Sequence, residues 1–296
     1  MKRNNCERNH SRGMLFQYFA LLDRFNSDID ELDLSFENRT LKIGKIPKER
    51  LRTFLLSPKP KIPSINEAFE VAIDLGEGRY WVDYHYEVED SREAMIRVSN
   101  IVDEEIAKVM LVLRLFKEGC IRIVFDVWRG KHIATHFSSI RPSRNEERLY
   151  FLPSSSLLDL RNFREEFMNT AWEKKESSSP LGIALSRFTD SYERIKLEDK
   201  IIDYMIALEA LYLQDGTAEL SYRLAHRLSV LLTKDKKERQ RLFKMTRKSY
   251  DLRSKIVHGS KYDLSHEKVW FVEDTLRQSI RKFLKTPKPN WLRIIF

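Results

Sequence analysis

Residues 250–260 read YDLRSKIVHGS and carry Arg253 and His258 with four residues between them, followed directly by Gly259. An imidazole with a pKa of about 6.5 can take the proton of a ribose 2′-hydroxyl and later protonate a leaving 5′-oxygen. A guanidinium stays charged and grips a phosphate through two parallel hydrogen bonds, steadying the negative charge that develops there. The pair therefore suits phosphodiester cleavage without a metal, with Ser254 or Tyr250 as a secondary hydrogen-bonding group. Such chemistry requires RNA, because the 2′-hydroxyl is the nucleophile.

Spacing alone does not select this pair. Arg3/His10, Arg79/His85 and Arg129/His136 have similar separations. What distinguishes Arg253/His258 is its place at the C-terminal end of a strongly periodic helix. Five positions on a regular helix turn about 140° around the axis. For both side chains to meet one phosphate, the helix must unwind near 257–259 or a second copy must complete the site. Without a partner the same residues also read as a helix end, with basic side chains favoured by the dipole and a glycine closing it.

The elements that position them fall into two regions. Residues 1–175 are expected to form an α+β domain with a mostly antiparallel sheet. A basic tail leads into a short helix with Leu15, Phe19 and Leu22 on one face. Two short strands flank Asn38-Arg39, and a loop with three prolines covers 57–64. The run 70–89 (EVAIDLGEGRYWVDYHYEVE) reads as a β-hairpin about a glycine turn. A long helix spans 91–117 and closes at Gly119, strand-like runs follow at 121–128, 133–137 and 149–152, and 154–174 returns to a helical period. The most apolar of those runs, 121–128, is expected at the centre of the sheet.

Residues 174–180 (KKESSSP) are the linker candidate. Beyond them, 181–296 carry only helical periods, at about 181–196, 198–213, 218–233, 236–258 and 264–285, which short connections make an antiparallel bundle. The prolines of the last stretch stop the final helix, and Trp291 and Ile294 are expected to fold back and be buried.

Composition narrows the function classes. A 42% hydrophobic, 33% charged chain of 296 residues builds a globular core, and a net charge of +9 favours a polyanionic partner. Cys6 and Cys120 cannot make a disulfide framework, no leader is expected, and no apolar run is long enough for a membrane helix. A cytoplasmic location without membrane association is the expectation. The bundle also holds Asp203 and Glu209, read as partners for arginines such as Arg187, Arg223 and Arg227, with Glu209 as a support for Arg253 or His258. Tyr222, Arg223, His226 and Arg227 could line a groove for RNA, with Lys255 beside the candidate pair. Asp83/His85 reads as a polar sheet face, and His132/His136 lacks a third ligand for zinc. No metal or cofactor is expected.

Three stretches, EDKIIDYMIALEALYL (198–213), ELSYRLAHRLSVLL (219–232) and YDLRSKIVHGS, make the C-terminal region resemble the HEPN superfamily, specifically its Apea-like branch in bacterial phage-defence proteins. The resemblance covers about 181–285. It implies an all-α bundle that forms a homodimer or higher homo-oligomer around a metal-independent endoribonuclease site, with Arg253 and His258 in the family's Arg and His positions. Ser254 stands where many active members carry Asn, Asp or His. The implied role is antiviral abortive infection, with RNA (tRNA among the candidates) as substrate and a phage-derived trigger acting on the sensing N-terminal domain. The competing expectation is a catalytically silent HEPN-type module that binds RNA or protein and dimerises.

Overall fold

The computed structural model describes residues 14–35, 39–57, 63–88, 92–129, 136–137, 148–169, 178–215, 218–286, 289 and 291. They divide into two compact units. The first ends at Met110 and resumes over Gly119–Arg161; the second takes Leu111–Glu118 and continues from Asn162.

The first unit holds β1 (Met14–Asp23), β2 (Phe25–Ser27), β3 (Glu31–Asp33), β4 (Thr40–Lys45), α1 (Lys48–Leu56), α2 (Pro63–Gly76) and β5 (Tyr80–Val88). After them come most of α3 (Arg92–Phe116), then β6 (Arg122–Arg129), β7 (His136–Phe137), β8 (Tyr150–Leu152) and the start of α4 (Leu157–Phe167). Six strands form one sheet in the order β3-β4-β5-β1-β6-β7, and every pairing in it is antiparallel. A separate parallel pair joins β2 to β8. The α+β organisation with a mostly antiparallel sheet is therefore present.

Two local expectations fail, each for a packing reason. The stretch read as a short helix on Leu15, Phe19 and Leu22 is β1, which lies between β5 and β6. Phe16, Tyr18, Phe19, Ala20, Leu21 and Leu22 are all buried, while Leu15 is exposed. A strand covered on both faces is a continuous apolar run without an alternating pattern, so its period cannot be read. This strand, with β5, forms the middle of the sheet; β6, expected there, is interior but one place further out.

The second failure is the first arm of the supposed hairpin, which is helical through Gly76. Its buried positions Phe69, Ala72, Ile73 and Gly76 recur at helical spacing. They join Leu51 and Leu55 of α1 over Phe19 and Leu21 of β1, Trp81 of β5, and Phe125 and Val127 of β6. Gly76 is needed because the Trp81 indole lies against it: an added Cβ would come 2.2 Å from Trp81 Cζ2. The Trp81 Nε1–H donates to the Gly76 carbonyl at 3.2 Å.

The second unit holds the end of α3, the second half of α4, and five helices: α5 (Pro180–Ser191), α6 (Leu197–Tyr212), α7 (Leu220–Leu232), α8 (Lys236–Val257) and α9 (His266–Lys285). All five lie where the periodicity placed them, with α5 ending at Ser191. Ser179 caps α5 by accepting from Gly182 N–H at 3.0 Å, with Pro180 at the first helical position. The rest of the proposed linker, 174–177, lies outside the described residues, as do most of the proline loop and Ile294.

Helix α6 is central and packs against α5, α7, α8 and α9. Ile201, Tyr204, Met205, Leu208, Leu211 and Tyr212 form a buried face about 120° wide, which buried Lys200, Asp203 and Ala207 extend to about 200°, as expected of a helix with neighbours on several sides. The chain after α9 returns as predicted: the Trp291 ring lies 5.7 Å from that of Tyr212 and 6.4 Å from that of Phe283. Among the described residues no helix is long and apolar enough to cross a membrane.

Candidate functional site

Helix α8 carries the candidate pair. Asp235 starts it by accepting from Glu238 N–H at 2.8 Å, and its 22 residues contain neither Gly nor Pro. Leu242, Thr246, Ser249 and Leu252 form a narrow buried stripe, flanked by partly buried Phe243, Met245 and Ile256, and most of the remaining circumference is charged or polar.

Just beyond Leu252, Arg253 reaches Glu209 of α6, with Nη2 3.7 Å from Oε2 and both side chains about 25% exposed. Glu209 Oε1 and Arg253 Nε are buried with no hydrogen-bond partner among the described residues. Burial holds the Glu209 carboxyl above its ordinary range, and Arg253 pulls the other way. Tyr250, three residues before Arg253, is part of the same electrostatic cluster. Its phenol is raised by burial and by the Glu209 charge, while Arg253 opposes the rise. Glu209 thus lies within ion-pair range of Arg253, with no hydrogen bond between them among the described residues.

The helix ends at Val257, and its closure is built from the backbone. Gly259 adopts φ +67° and donates to Ile256 O at 3.3 Å, and Ser260 N–H reaches back to Lys255 O at 2.9 Å. These two crossed bonds form a left-handed C-cap. His258 is the cap residue, with φ −92° and ψ 6° and its own N–H donating to Ser254 O at 3.0 Å. The helix does stop at 257–259, but its closure leaves His258 away from Arg253, so the two side chains do not meet at one place within the chain. The exposed imidazole has no hydrogen-bond or charged partner among the described residues, Arg253 included. Arg253 faces α6 while His258 faces solvent. Ser254 is half-buried between them, and Lys255 is exposed.

The other arginines gather elsewhere. Arg223 donates to Asp215 Oδ1 at 2.7 Å, and Arg227 grips both Asp215 oxygens at 2.6 and 2.7 Å. Arg227 is buried, also donates to Tyr212 O at 2.7 Å, and lies 5.0 Å from the Trp291 ring centroid. The Arg227 hydrogen bonds, with the charges of Arg227 and Arg223, lower the Asp215 carboxyl to about 2. This cluster fastens the turn after α6 to α7, and no contact among the described residues joins it to Arg253 or His258. Asp203, buried on α6, accepts from Arg187 at 2.9 Å and Arg194 at 2.8 Å, so the predicted Arg187 pairing holds but Asp203 does not join Glu209. Arg277 of α9 is buried and bound to Glu273, Asp274 and the Arg114 carbonyl.

In the first unit, Asp83 and His85 do more than form a polar face. His85 Nε2 lies 2.7 Å from Asp83 Oδ1 and 2.9 Å from Gln17 Nε2, and Arg50 of α1 donates to Asp83 Oδ2 at 2.6 Å. Burial pushes the Asp83 carboxyl up, but the His85 bond and the charges of His85 and Arg50 prevail and lower it. The only local signal for this group was Asp83/His85 alternation; Gln17 and Arg50 arrive from distant elements. Of His132/His136, only the backbone of His136 is described. Among the described residues no three His, Cys, Asp or Glu side chains are grouped to hold a metal ion.

The chain matches no protein-family model, no curated protein and no solved structure. The chemistry available to the site therefore rests on its own residues: a guanidinium steadied by a half-buried carboxylate, a phenol beside it, and an unpartnered imidazole at the helix end.

Proposed function

We propose that the helical C-terminal unit is a metal-independent endoribonuclease of the HEPN type, serving bacterial anti-phage defence by abortive infection. The observation that carries this reading is the end of α8, where Arg253 is held by Glu209 and the chain unwinds to present the free imidazole of His258. In the reaction the neutral imidazole removes the 2′-hydroxyl proton and the 2′-oxygen attacks phosphorus. The bond to the 5′-oxygen then breaks as an imidazolium returns a proton to it, leaving a 2′,3′-cyclic phosphate. Arg253 clamps the phosphate, with Ser254 or Tyr250 as an auxiliary donor. Because Arg253 and His258 turn to different sides of α8, a homodimer brings one copy's imidazole to the phosphate held by the other. The antiparallel-sheet unit senses a phage-derived trigger, and tRNA is the candidate target.

A second reading has its own support. Arg253 already has an anionic partner, and no contact joins it to His258, which suits a silent RNA- or protein-binding module of the same type. Incubation of the purified chain with total bacterial RNA in EDTA, beside its His258→Ala variant, separates them. Cleavage by the parent alone, with cyclic phosphate ends, supports the nuclease. His258 is exposed, so its replacement leaves the fold intact. Cleavage retained in His258→Ala refutes the assignment, and none from either chain points to the silent module or to a missing trigger at the first unit.

A further inference from the structure

Helix α8 concentrates the charge of the whole chain: nine Lys or Arg residues against Glu238 and Asp251 give it a net +7, where all 296 residues sum to +9. Its cations are also ordered. Lys237, Arg241, Lys244, Lys248 and Lys255 are exposed and recur every three, four or seven positions, so they share one side of the helix. At 1.5 Å per residue the row is about 27 Å long. Arg241 is committed to Glu238. The four lysines have no acidic partner among the described residues.

The C-terminal part of this row borders a groove of about 410 Å³, between α8 and the chain entering α9. Met245 and Leu252 give it an apolar wall, Lys248 and Lys255 its cationic rim with the exposed Asp251 between them, and Tyr262 its opposite side. Lys268, which also lines it, is neutralised by Asp263 at 2.7 Å. The Tyr262 ring is 39% exposed, and its hydroxyl is tethered to Glu198 Oε1 at 3.0 Å, which fixes the orientation of the ring.

We infer that this face of α8 is a track for single-stranded RNA, with phosphates along the lysine row and a base lodged in the groove against Tyr262. Regularly spaced, unpaired lysines suit a repeating polyanion, and an aromatic ring beside an apolar wall suits a base. A membrane surface would demand large apolar side chains projecting among the lysines. On α8 the large exposed apolar residue is Val257, at the far end. The row lies roughly 160° around the helix from Arg253 and runs toward the end that presents His258. The track rests on the proposed nuclease reading only for the fate of the RNA once bound. The binding itself is a separate property.

The test is fluorescence anisotropy of a uridine-only oligoribonucleotide on the full chain carrying His258→Ala, so that cleavage does not intervene. Adding Lys244→Gln, Lys248→Gln and Lys255→Gln together should weaken binding at least about tenfold at low salt and reduce the slope of log K against log salt by about 2. Tyr262→Leu should weaken it about tenfold, while Tyr262→Phe keeps the ring and most of the affinity. Unchanged affinity and slope in the triple variant overturn the track. So does an equal loss of heparin binding in the triple variant with no effect of Tyr262→Leu, which would make the row an unselective cationic surface. Weakened binding by these variants, with no RNA cleavage by the chain that keeps His258, leaves the track standing without the nuclease. Undiminished cleavage by the triple variant with His258 restored does the reverse.

Discussion

Replacing Arg253 by Gln should destabilise the helical unit at neutral pH and much less in mild acid. At 3.7 Å the Arg253–Glu209 attraction is about 4.5 kcal/mol with an effective dielectric of about 20. Each side chain is a quarter exposed, so solvent screening and the cost of desolvating the pair cut the net loss to about 1–3 kcal/mol. The sign with pH is set by the carboxyl that stays behind. Glu209 is already raised by burial, and Arg253 is what opposes the rise. A carboxyl raised in the folded state holds its proton more tightly there than in the unfolded chain. Stability therefore falls as pH climbs from the unfolded value of about 4.3 through the folded one, and is flat above it.

The Arg253→Gln deficit should accordingly be full near pH 7 and shrink toward about pH 5. Glu209→Gln alone removes the attraction and the cost of burying the carboxylate but leaves the Arg253 charge behind, so its loss should stay below that of Arg253→Gln, which strands the carboxyl that burial already disfavours as an anion. Added to Arg253→Gln, it should recover most of the loss. Urea unfolding of the four chains at both pH values, monitored by helical circular dichroism, measures this directly. A deficit independent of pH, or a Glu209→Gln variant less stable than Arg253→Gln at neutral pH, would refute the account of the cluster.

Gly76→Ala should destabilise the first unit by about 1–3 kcal/mol, since overpacking against Trp81 and loss of its hydrogen bond outweigh the better helix propensity of Ala. A thermal melt no lower than the parent's would contradict that packing. Asp215, lowered to about 2 by Arg227, stabilises the fold above its unfolded pKa, and this contribution disappears as pH falls from about 4 toward 2. Asp215→Asn should be less stable than the parent at neutral pH and lack that segment of the acid titration.

The helical half was legible in the chain because its signals are local. The 3.6-residue period of α5–α9 is visible in the sequence, and Ser179, Asp235 and Gly259 end helices through bonds to residues within five positions. The prolines after Lys285 likewise announced the return of Trp291. The sheet half was legible only where a strand has unequal faces. In β1 both faces are covered, so a central strand carried no alternation, and α2 shows its period only once Phe69, Ala72, Ile73 and Gly76 are seen against the sheet.

Residue type and spacing also singled out Arg253, His258 and Glu209, but could not say which of them meet. That choice belongs to tertiary structure, because a long charged side chain pairs with whatever the packing brings near. The α6–α8 contact gives Arg253 to Glu209, the turn after α6 gives Arg223 and Arg227 to Asp215, and α1 gives Arg50 to Asp83. His258 is left unpartnered by the same logic. A backbone cap, determined by a few neighbouring residues, carries its imidazole out of the core before any other element can reach it.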